Sequence, residues 1–340
     1  TALLRRMVGC TFSEYCDDQR QRTAPRGFLP SDRQQLVATL RAEAAAEVTA
    51  TIAMADRALA GQFDVLGSGV VDLRRGRGTP ARLDWNRDPI TQRTYPAGVS
   101  HWRAQVPGTL AAVGGDIKGP WEIGRCQHLP TLGLAYWLTD DERYARAFAT
   151  TVEDFTAHNP AGFGVQWGCA MDVALRLVSW IAALDYFAGA RPLTSRWWAT
   201  FLRSLVEHGR FIAANLEFGT IDGRIATSNH YLADVFGLYW LATTFPELDS
   251  NVAWRGLSEH ALEREAQVQL NDDGSSFESS VPYHRLVTEM LLSAYALSVK
   301  YQRPLSPEYS QRLTAALRFV RLLRQPGGRG VDRRFRPQQR

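Results

Sequence analysis

Residues 283–301 read YHRLVTEMLLSAYALSVKY, and their apolar side chains recur at the spacing of an α-helix. Val287, Met290, Leu291 and Ala294 fall at positions i, i+3, i+4 and i+7, so they share one helical face. The same period recurs through the whole second part of the chain, whereas strand patterns are nearly absent. The sequence therefore predicts an all-α fold with helices over 122–138, 141–157, 168–188, 194–216, 228–244, 254–270, 283–301 and 306–324.

The breaks between these helices are short and contain Pro, Gly, Asn or Asp, as in Asn159-Pro160 and Arg191-Pro192. A regular succession of helical hairpins favours an incomplete (α/α) toroid, in which inner and outer helices alternate around a central depression. A helical solenoid is the alternative architecture. Because the candidate functional segments lie at helix starts, a toroid with those starts gathered in one cleft is favoured.

The chain divides into three regions by its composition. Residues 1–30 are predicted to be an irregular lead-in, and residues 31–324 one helical domain that begins with a helical pattern from Ser31 to Leu59. Within that domain, residues 62–121 contain many Gly, Pro, Asp and Trp and predict a long decorated connection, which is usually functional at such a length. Residues 325–340 are a polar, Arg-rich tail.

The 340 residues, 45% hydrophobic and 22% charged, are typical of a globular protein with a substantial core. The net charge is +4, and nearly all of the basic residues are arginine, which suits an acidic substrate. No basic run is dense enough to indicate nucleic acid. No apolar run approaches a membrane span, and no signal-peptide core is visible. Phosphate loops, metal-ligand spacings and serine elbows are absent, so neither a cofactor nor a metal is predicted.

Two segments combine amides, imidazoles and phenols: Thr227-Ser228-Asn229-His230-Tyr231 and Ser280-Val281-Pro282-Tyr283-His284. Such groups can eliminate across C4–C5 of a uronic acid, which needs a neutralised carboxylate, a base for the C5 proton and an acid for O4. Asn229 and His230 suit the carboxylate, and Tyr283 suits the acid and the base. The structural alternatives are a helix cap for Asn229, a core histidine for His230 and a helix-start packing residue for Tyr283.

A third cluster offers further groups, because Trp121 could form a platform for a sugar ring, with Glu122, Arg125 and His128 within two helical turns. The structural alternatives are a salt-bridged helix start for this cluster, an ordinary ion pair between Asp172 and Arg176 after the Gln166-Trp167 segment, and a role for His284 in orienting Tyr283 or Glu278.

Taken together, these segments resemble the heparinase II/III-like family of polysaccharide lyases, over residues 63–323 and most distinctively at Pro120-Trp121-Glu122 and Asn229-His230-Tyr231. The resemblance implies a helical incomplete α/α toroid followed by a β-sandwich. It also implies that Asn229 neutralises the substrate carboxylate, with assistance from His230, and that Tyr283 is both base and acid. The residues implied to line the substrate groove are Trp121, Glu122, Arg125, His128, Gln166 and Trp167, and the predicted substrate-binding set also includes Glu278 and His284. The implied partner is an acidic polysaccharide, heparin-like or a bacterial exopolysaccharide, and the implied location is periplasmic or secreted, with the cytoplasm left open.

One departure from the family is expected to matter. The family completes its catalytic set with a histidine on the β-sandwich, and this chain stops after its helical part. A truncated or frame-shifted product, or a fragment of a longer gene, is therefore expected, with little or no turnover if the sandwich is missing. Two other functions stay open. One is an α/α-toroid glycoside hydrolase using Glu122 and Glu278 as its carboxylates. The other is a non-catalytic module that binds acidic glycans or serves polysaccharide biosynthesis.

Overall fold

The computed structural model describes residues 9–22, 24–27, 29–30, 32–67, 69–76, 78, 80–104, 114–249 and 253–323. Contacts between residues divide the chain into two compact units, Thr1–Phe211 and Ile212–Arg340. Helices dominate both units, and the strands of the described residues form two antiparallel hairpins. Across those ranges, no helix combines the length and apolarity needed to cross a bilayer.

Nine helices begin in the described part of the first unit, together with one hairpin and two 3-10 turns. The helices are α1 Phe12–Gln21, α2 Arg33–Glu43, α3 Ala45–Leu59, α4 His101–Ala104, α5 Lys118–Gly124, α6 His128–Thr139, α7 Glu142–His158, α8 Ala170–Leu184 and α9 Ser195–Ala214. The hairpin pairs β1 Gln62–Asp64 with β2 Val70–Asp72, and the 3-10 turns are Val165–Trp167 and Asp185–Phe187.

Helix α6 is the centre of the first unit, because α3, α7 and α8 all pack against it. Its residue Gly133 allows the close approach of the 3-10 turn Asp185–Phe187: a Cβ there would lie 2.5 Å from the ring of Tyr186. An aromatic core fills the space between α7, α8 and α9, with Phe148 stacked on Phe187 at 4.7 Å between ring centroids. Large apolar side chains at helical spacing have thus produced the expected helix-on-helix core.

Five helices and a hairpin lie in the described part of the second unit. After α9, the chain forms β3 Gly219–Ile221, β4 Arg224–Ala226, α10 Asn229–Thr244, α11 Pro246–Asp249, α12 Trp254–Gln269, α13 Val281–Lys300 and α14 Pro307–Leu322. The strands β3 and β4 are joined by Asp222-Gly223, whose φ angles of 49° and 74° are those of a two-residue hairpin turn.

Helix α10 is the core helix of the second unit. Every residue from Leu232 to Thr244 is buried, and α12 and α13 both pack against the helix. A helix that is apolar all round can be stable only where it is enclosed on all sides. The first residue of α10 is Asn229, so the position of this amide is fixed by the most enclosed element of the unit.

The predicted helices from 141–157 onward are confirmed, with ends within a few residues of the predicted ones. Three predictions were wrong in detail. The lead-in contains α1, which begins with a capping box between Thr11 and Glu14. The helical pattern up to Leu59 is broken at Ala44, and the helix predicted over 122–138 is broken at Cys126, which has a φ of 55°. Ser31 and the tail 325–340 lie outside the described residues.

A tight turn after α12 leads toward α13. Leu270 and Ser276 form an antiparallel bridge, and Gly274 closes the turn by donating its N–H to the carbonyl of Asn271 at 3.0 Å. Gly274 has a φ of 85°, and a Cβ at this position would lie 2.2 Å from the carbonyl oxygen of Ala315. Its own carbonyl accepts a hydrogen bond of 2.7 Å from Nε2 of His284.

We expect Gly274→Ala to lower the free energy of unfolding by ~3 kcal/mol, because it adds a backbone clash to an unfavourable φ. Gly223→Ala is the matched control, since Gly223 has a φ of 74° but no atom within 4 Å of the added Cβ. It should cost only ~1 kcal/mol. Urea denaturation of the two variants measures both values, and equal losses would show that the close approach at Ala315 is relieved without cost.

Candidate functional site

Asn229 begins helix α10, but its side chain does not cap the helix. The cap is Ser228, whose Oγ accepts a hydrogen bond of 3.2 Å from the backbone N–H of His230. The side chain of Asn229 therefore does not have the usual structural role of an amide at a helix start, which is to cap the helix. It is 5% exposed.

The amide of Asn229 is held by Glu278. Oε1 of Glu278 accepts from Nδ2 of Asn229 at 2.7 Å and from its backbone N–H at 3.3 Å. A carboxylate only accepts hydrogen bonds, so the NH₂ of the amide must face Glu278. One hydrogen of Nδ2 remains for another acceptor, and Oδ1 is buried with no hydrogen-bond partner among the described residues.

Tyr283 lies in the first turn of α13, after Pro282, and its side chain is 47% exposed. Its hydroxyl has no hydrogen-bond partner in the described ranges, so it is available to a ligand. Glu278 belongs to the segment that leads into α13, and α13 packs against α10. The two segments singled out in the sequence thus belong to one unit, joined by the bond between Glu278 and Asn229.

His230 lies beside Asn229 and faces a carboxylate. Its Nδ1 is 3.3 Å from Oε2 of Glu217, and 45% of its side chain is exposed. Glu217 is itself fixed, because its backbone N–H donates to Oδ2 of the buried Asp234 at 2.7 Å. This geometry orients the imidazole while leaving part of the ring open to solvent.

His284 does not contact a substrate surface, contrary to the prediction. The residue is 2% exposed, and Nε2 donates to the carbonyl of Gly274. Its ring also packs on that of Phe319, with 5.0 Å between centroids. His284 fixes the turn that precedes Glu278, so its effect on the candidate site is structural.

The predicted groove residues of the α5 segment form an ion-pair chain in the first unit. Arg125 donates to Glu122 at 2.7 Å and to the buried Asp172 at 2.6 Å. Burial opposes the charge of Arg125, but the two carboxylates outweigh it and raise the pKa of the guanidinium. Asp172 therefore pairs with Arg125, and the expected ion pair with Arg176 was wrong. Trp121 is partly buried, and its Nε1 donates to the carbonyl of Val165 at 2.8 Å.

His128 begins α6 and packs against Phe63, with 5.0 Å between ring centroids. Burial lowers the pKa of His128 to about 4, so the imidazole is neutral at pH 7. A neutral imidazole can donate or accept a hydrogen bond, but it supplies no charge for an anionic sugar.

Gln166 and Trp167 are interior residues, and the prediction that they line a groove was wrong for their polar groups. Each is 1% exposed. Nε2 of Gln166 donates to the carbonyls of Trp85 and Pro120, and Nε1 of Trp167 donates to the carbonyl of Asn159 at 3.1 Å. These bonds hold backbone segments together and leave no donor for a sugar.

A buried arginine lies next to these residues. Arg176 is 0% exposed and donates to the carbonyls of Gly124 and Gln166 and, through Nε, to Nε2 of His208 at 2.9 Å. His208 must therefore carry its proton on Nδ1, which donates to the carbonyl of Ser204 at 2.7 Å. Burial lowers the pKa of Arg176 to about 10, and burial together with the Arg176 charge lowers the pKa of His208 well below its usual value.

A cleft of about 710 Å³ is present elsewhere in the first unit, lined by residues of α7 and α9 that include Glu153, Arg196, Arg203 and Glu207. Trp167 is the one predicted site residue in its lining. Its walls carry two acidic and two basic side chains, so it has no clear preference for an acidic chain.

Sequence reasoning missed the acidic partners of the site. Glu217 contacts His230, and Asp234 accepts a hydrogen bond from the backbone of Glu217. Glu265 accepts a hydrogen bond from Thr227. Asp234 and Glu265 were hidden inside helical patterns, where an isolated carboxylate is normally solvent-exposed. The sequence indicated Glu217 only weakly. The dipeptide Asp222-Gly223 is a strong signal for a hairpin turn, and Glu217 lies just before that hairpin.

The Heparinase II/III N-terminus family matches residues 12–328. The chain belongs to this family. A heparin-sulfate lyase of Pedobacter heparinus is 24% identical to it over 203 residues, which are 58% of this chain and 29% of the relative. The heparinase resemblance inferred from the sequence is therefore confirmed.

Solved structures agree in fold. The crystal structure of the heparan sulfate lyase HepC from Pedobacter heparinus matches 94% of this chain and 44% of its own, with a TM-score of 0.58 and 20% identity. An alginate lyase from Bacteroides ovatus matches 90% of this chain and 85% of its own, with a TM-score of 0.53 and 14% identity. These similarities confirm the predicted all-α fold class of the α/α-toroid type. The chain spans less than half the length of the heparan sulfate lyases that it matches.

The stability of the first unit should fall as the pH is lowered from about 6.5 to 4.5. His128 and His208 have lowered pKa values in the folded protein, so the unfolded chain binds more protons in this window. Thermal unfolding measured across this pH range checks the prediction. In the His208→Gln variant, stability should depend less steeply on pH. An unchanged pH slope in that variant would show that His208 does not stay neutral in the folded state.

Proposed function

We propose that this chain binds an acidic, uronate-containing polysaccharide, heparan-like or a bacterial exopolysaccharide, and cleaves it by β-elimination. The observation that carries the proposal is the hydrogen bond between Asn229 and Glu278, which joins a partly unsatisfied amide to the segment leading to the exposed phenol of Tyr283. Membership of the family and the similarity to heparin-sulfate lyases support it.

Asn229 is proposed to neutralise the substrate carboxylate. Its second Nδ2 hydrogen is available for a carboxylate oxygen, and its orphaned Oδ1 can accept from a sugar hydroxyl. A buried acceptor without a partner costs about 1–3 kcal/mol, and such groups often serve a ligand. Hydrogen bonding to the carboxylate makes the C5 proton more acidic, because negative charge develops there as that proton leaves.

Tyr283 is proposed to move both protons. As phenolate it takes the C5 proton, and the C5–H electron pair forms the C4=C5 double bond while the C4–O4 pair departs with O4. The phenol then returns its proton to O4, so the tyrosine ends as it began. His230, held by Glu217, is proposed to donate a further hydrogen bond to the substrate carboxylate.

The predicted groove residues divide by exposure. Trp121, Glu122 and Arg125 keep partly exposed side chains, and we propose that they contact the polysaccharide. A glycoside hydrolase is the weaker alternative, because its two nominated carboxylates are already engaged: Glu122 with Arg125 and Glu278 with Asn229.

Tyr283→Phe should lower kcat for elimination by about 10³-fold, because it removes the group that moves both protons. Binding of the polysaccharide should change little. The assay follows the near-ultraviolet absorbance of the unsaturated uronate. Tyr295→Phe, in the same helix, removes the same atom outside the site and should keep the wild-type rate. Equal rates for wild type and Tyr283→Phe would exclude Tyr283 from the mechanism, and hydrolysis products without new absorbance would indicate a hydrolase.

Asn229→Ala should lower kcat/KM by about 10²-fold, because it removes a donor to the developing charge. The fold should persist, since Ser228 still caps α10 and the backbone N–H of residue 229 still reaches Glu278. Initial rates with an acidic polysaccharide and a thermal melt of the variant measure both effects. A variant that melts like the wild type and cleaves at the same rate would contradict the role of the amide.

A further inference from the structure

An ion pair on α12 lies against the segment that carries Asn229. Nε and Nη2 of Arg264 both donate to Oε1 of Glu265, at 3.2 and 2.7 Å. Glu265 is 0% exposed, and its other oxygen accepts from Thr227 at 2.9 Å and from Gln269 at 2.8 Å. The carboxylate is thus saturated with donors, and it holds Arg264 in one orientation.

The guanidinium is fixed from a second side as well. Its central carbon lies 5.4 Å from the centroid of the Tyr231 ring, a cation–π distance. Tyr231 is in turn packed edge-on by Phe218 at 6.1 Å. Thr227 and Tyr231 flank Asn229 in the chain. The ion pair therefore contacts the segment of the proposed reacting amide on both sides of that residue, Glu265 at Thr227 and Arg264 at Tyr231.

One edge of this guanidinium is unused. Glu265 takes the Nε–Nη2 edge, whereas Nη1 has no acceptor among the described residues, which leaves the Nη1–Nη2 edge open. The side chain is 39% exposed, so solvent reaches it. A planar fork of two parallel N–H groups matches the two oxygens of a carboxylate or sulfate, and a fork already held in place loses little entropy on binding.

We propose that the Nη1–Nη2 edge of Arg264 is an anion subsite, which binds an oxyanion substituent of the polysaccharide other than the carboxylate neutralised by Asn229. This inference rests on the proposed function and narrows its substrate class to chains with a second anionic group near the reacting uronate. The buried carboxylate offsets the charge of Arg264 at long range. Recognition therefore depends on directed hydrogen bonds. The position of the anion on the polysaccharide then matters more for binding than the total charge of the polysaccharide.

The test is the affinity for size-matched uronate oligosaccharides, one sulfated and one not, measured by isothermal titration. The titrations use the Tyr283→Phe background, so that no cleavage occurs during them. The variants are Arg264→Gln, which removes the fork and the charge, and Arg264→Lys, which keeps only the charge. Arg318→Gln, an exposed arginine on α14, is the control for the loss of one charge.

Arg264→Gln should raise Kd by about tenfold, Arg264→Lys should recover only part of the loss, and Arg318→Gln should bind within about twofold of the parent. A loss confined to the sulfated oligosaccharide identifies the anion as sulfate, and a loss with both identifies it as carboxylate. Because Arg264→Gln leaves Glu265 buried without its counter-ion, Arg264→Gln/Glu265→Gln is measured alongside and should show the same loss in a folded protein.

The possible failures are distinguishable. If the parent binds both oligosaccharides and the Arg264 variants bind as tightly as Arg318→Gln, the subsite is overturned and the proposed function stands. If the parent binds neither oligosaccharide, the proposed function fails and the subsite fails with it. Full recovery of affinity in Arg264→Lys would show that charge alone is recognised, which overturns the bidentate subsite.

Discussion

The bond between Glu278 and Asn229 is the interaction on which the candidate site depends. It links the start of the most enclosed helix of the second unit to the segment that leads into the helix of Tyr283. Because a carboxylate cannot donate, this contact also determines which way the amide faces, so one hydrogen bond sets both position and polarity. The turn at Gly274, held by His284, supports the segment from its other end. Without these two contacts, nothing would connect the exposed phenol of Tyr283 to the buried amide of Asn229.

The first unit shows how similar residue types serve the fold. Arg176, His208 and Gln166 are polar and close together, but their donors are directed at each other or at backbone carbonyls. Burying such groups is tolerable only when nearly every donor has an acceptor, since an unpaired buried polar group costs about 1–3 kcal/mol. Their hydrogen bonds tie together α5, the 3-10 turn Val165–Trp167, α9 and the loop at Trp85. The hydrogen-bonding groups that make a residue a candidate for catalysis thus also allow it to join backbone segments in the interior.

Buried acidic residues organise the second unit. Asp234 and Glu265 are both 0% exposed, and each accepts a hydrogen bond from a segment next to the candidate site: Asp234 from Glu217, and Glu265 from Thr227. A buried carboxylate that collects several donors positions its neighbours more strictly than a surface ion pair, because it cannot exchange them for water. Arg264 is held directly by Glu265, and His230 is held by Glu217, whose backbone is bound to Asp234; both side chains still face solvent.

Helical periodicity was sufficient for the fold class and for most helix bounds, and side-chain chemistry was sufficient to nominate Asn229 and Tyr283 as candidates, since both are local properties of the sequence. The sequence alone could not reveal the break at Cys126, where a left-handed residue divides a continuous apolar pattern. Nor could it separate Gln166, which is interior, from the partly exposed Arg125. Those distinctions depend on which backbone carbonyls and carboxylates surround each side chain. Such partners come from distant parts of the chain, so only packing in three dimensions assigns them.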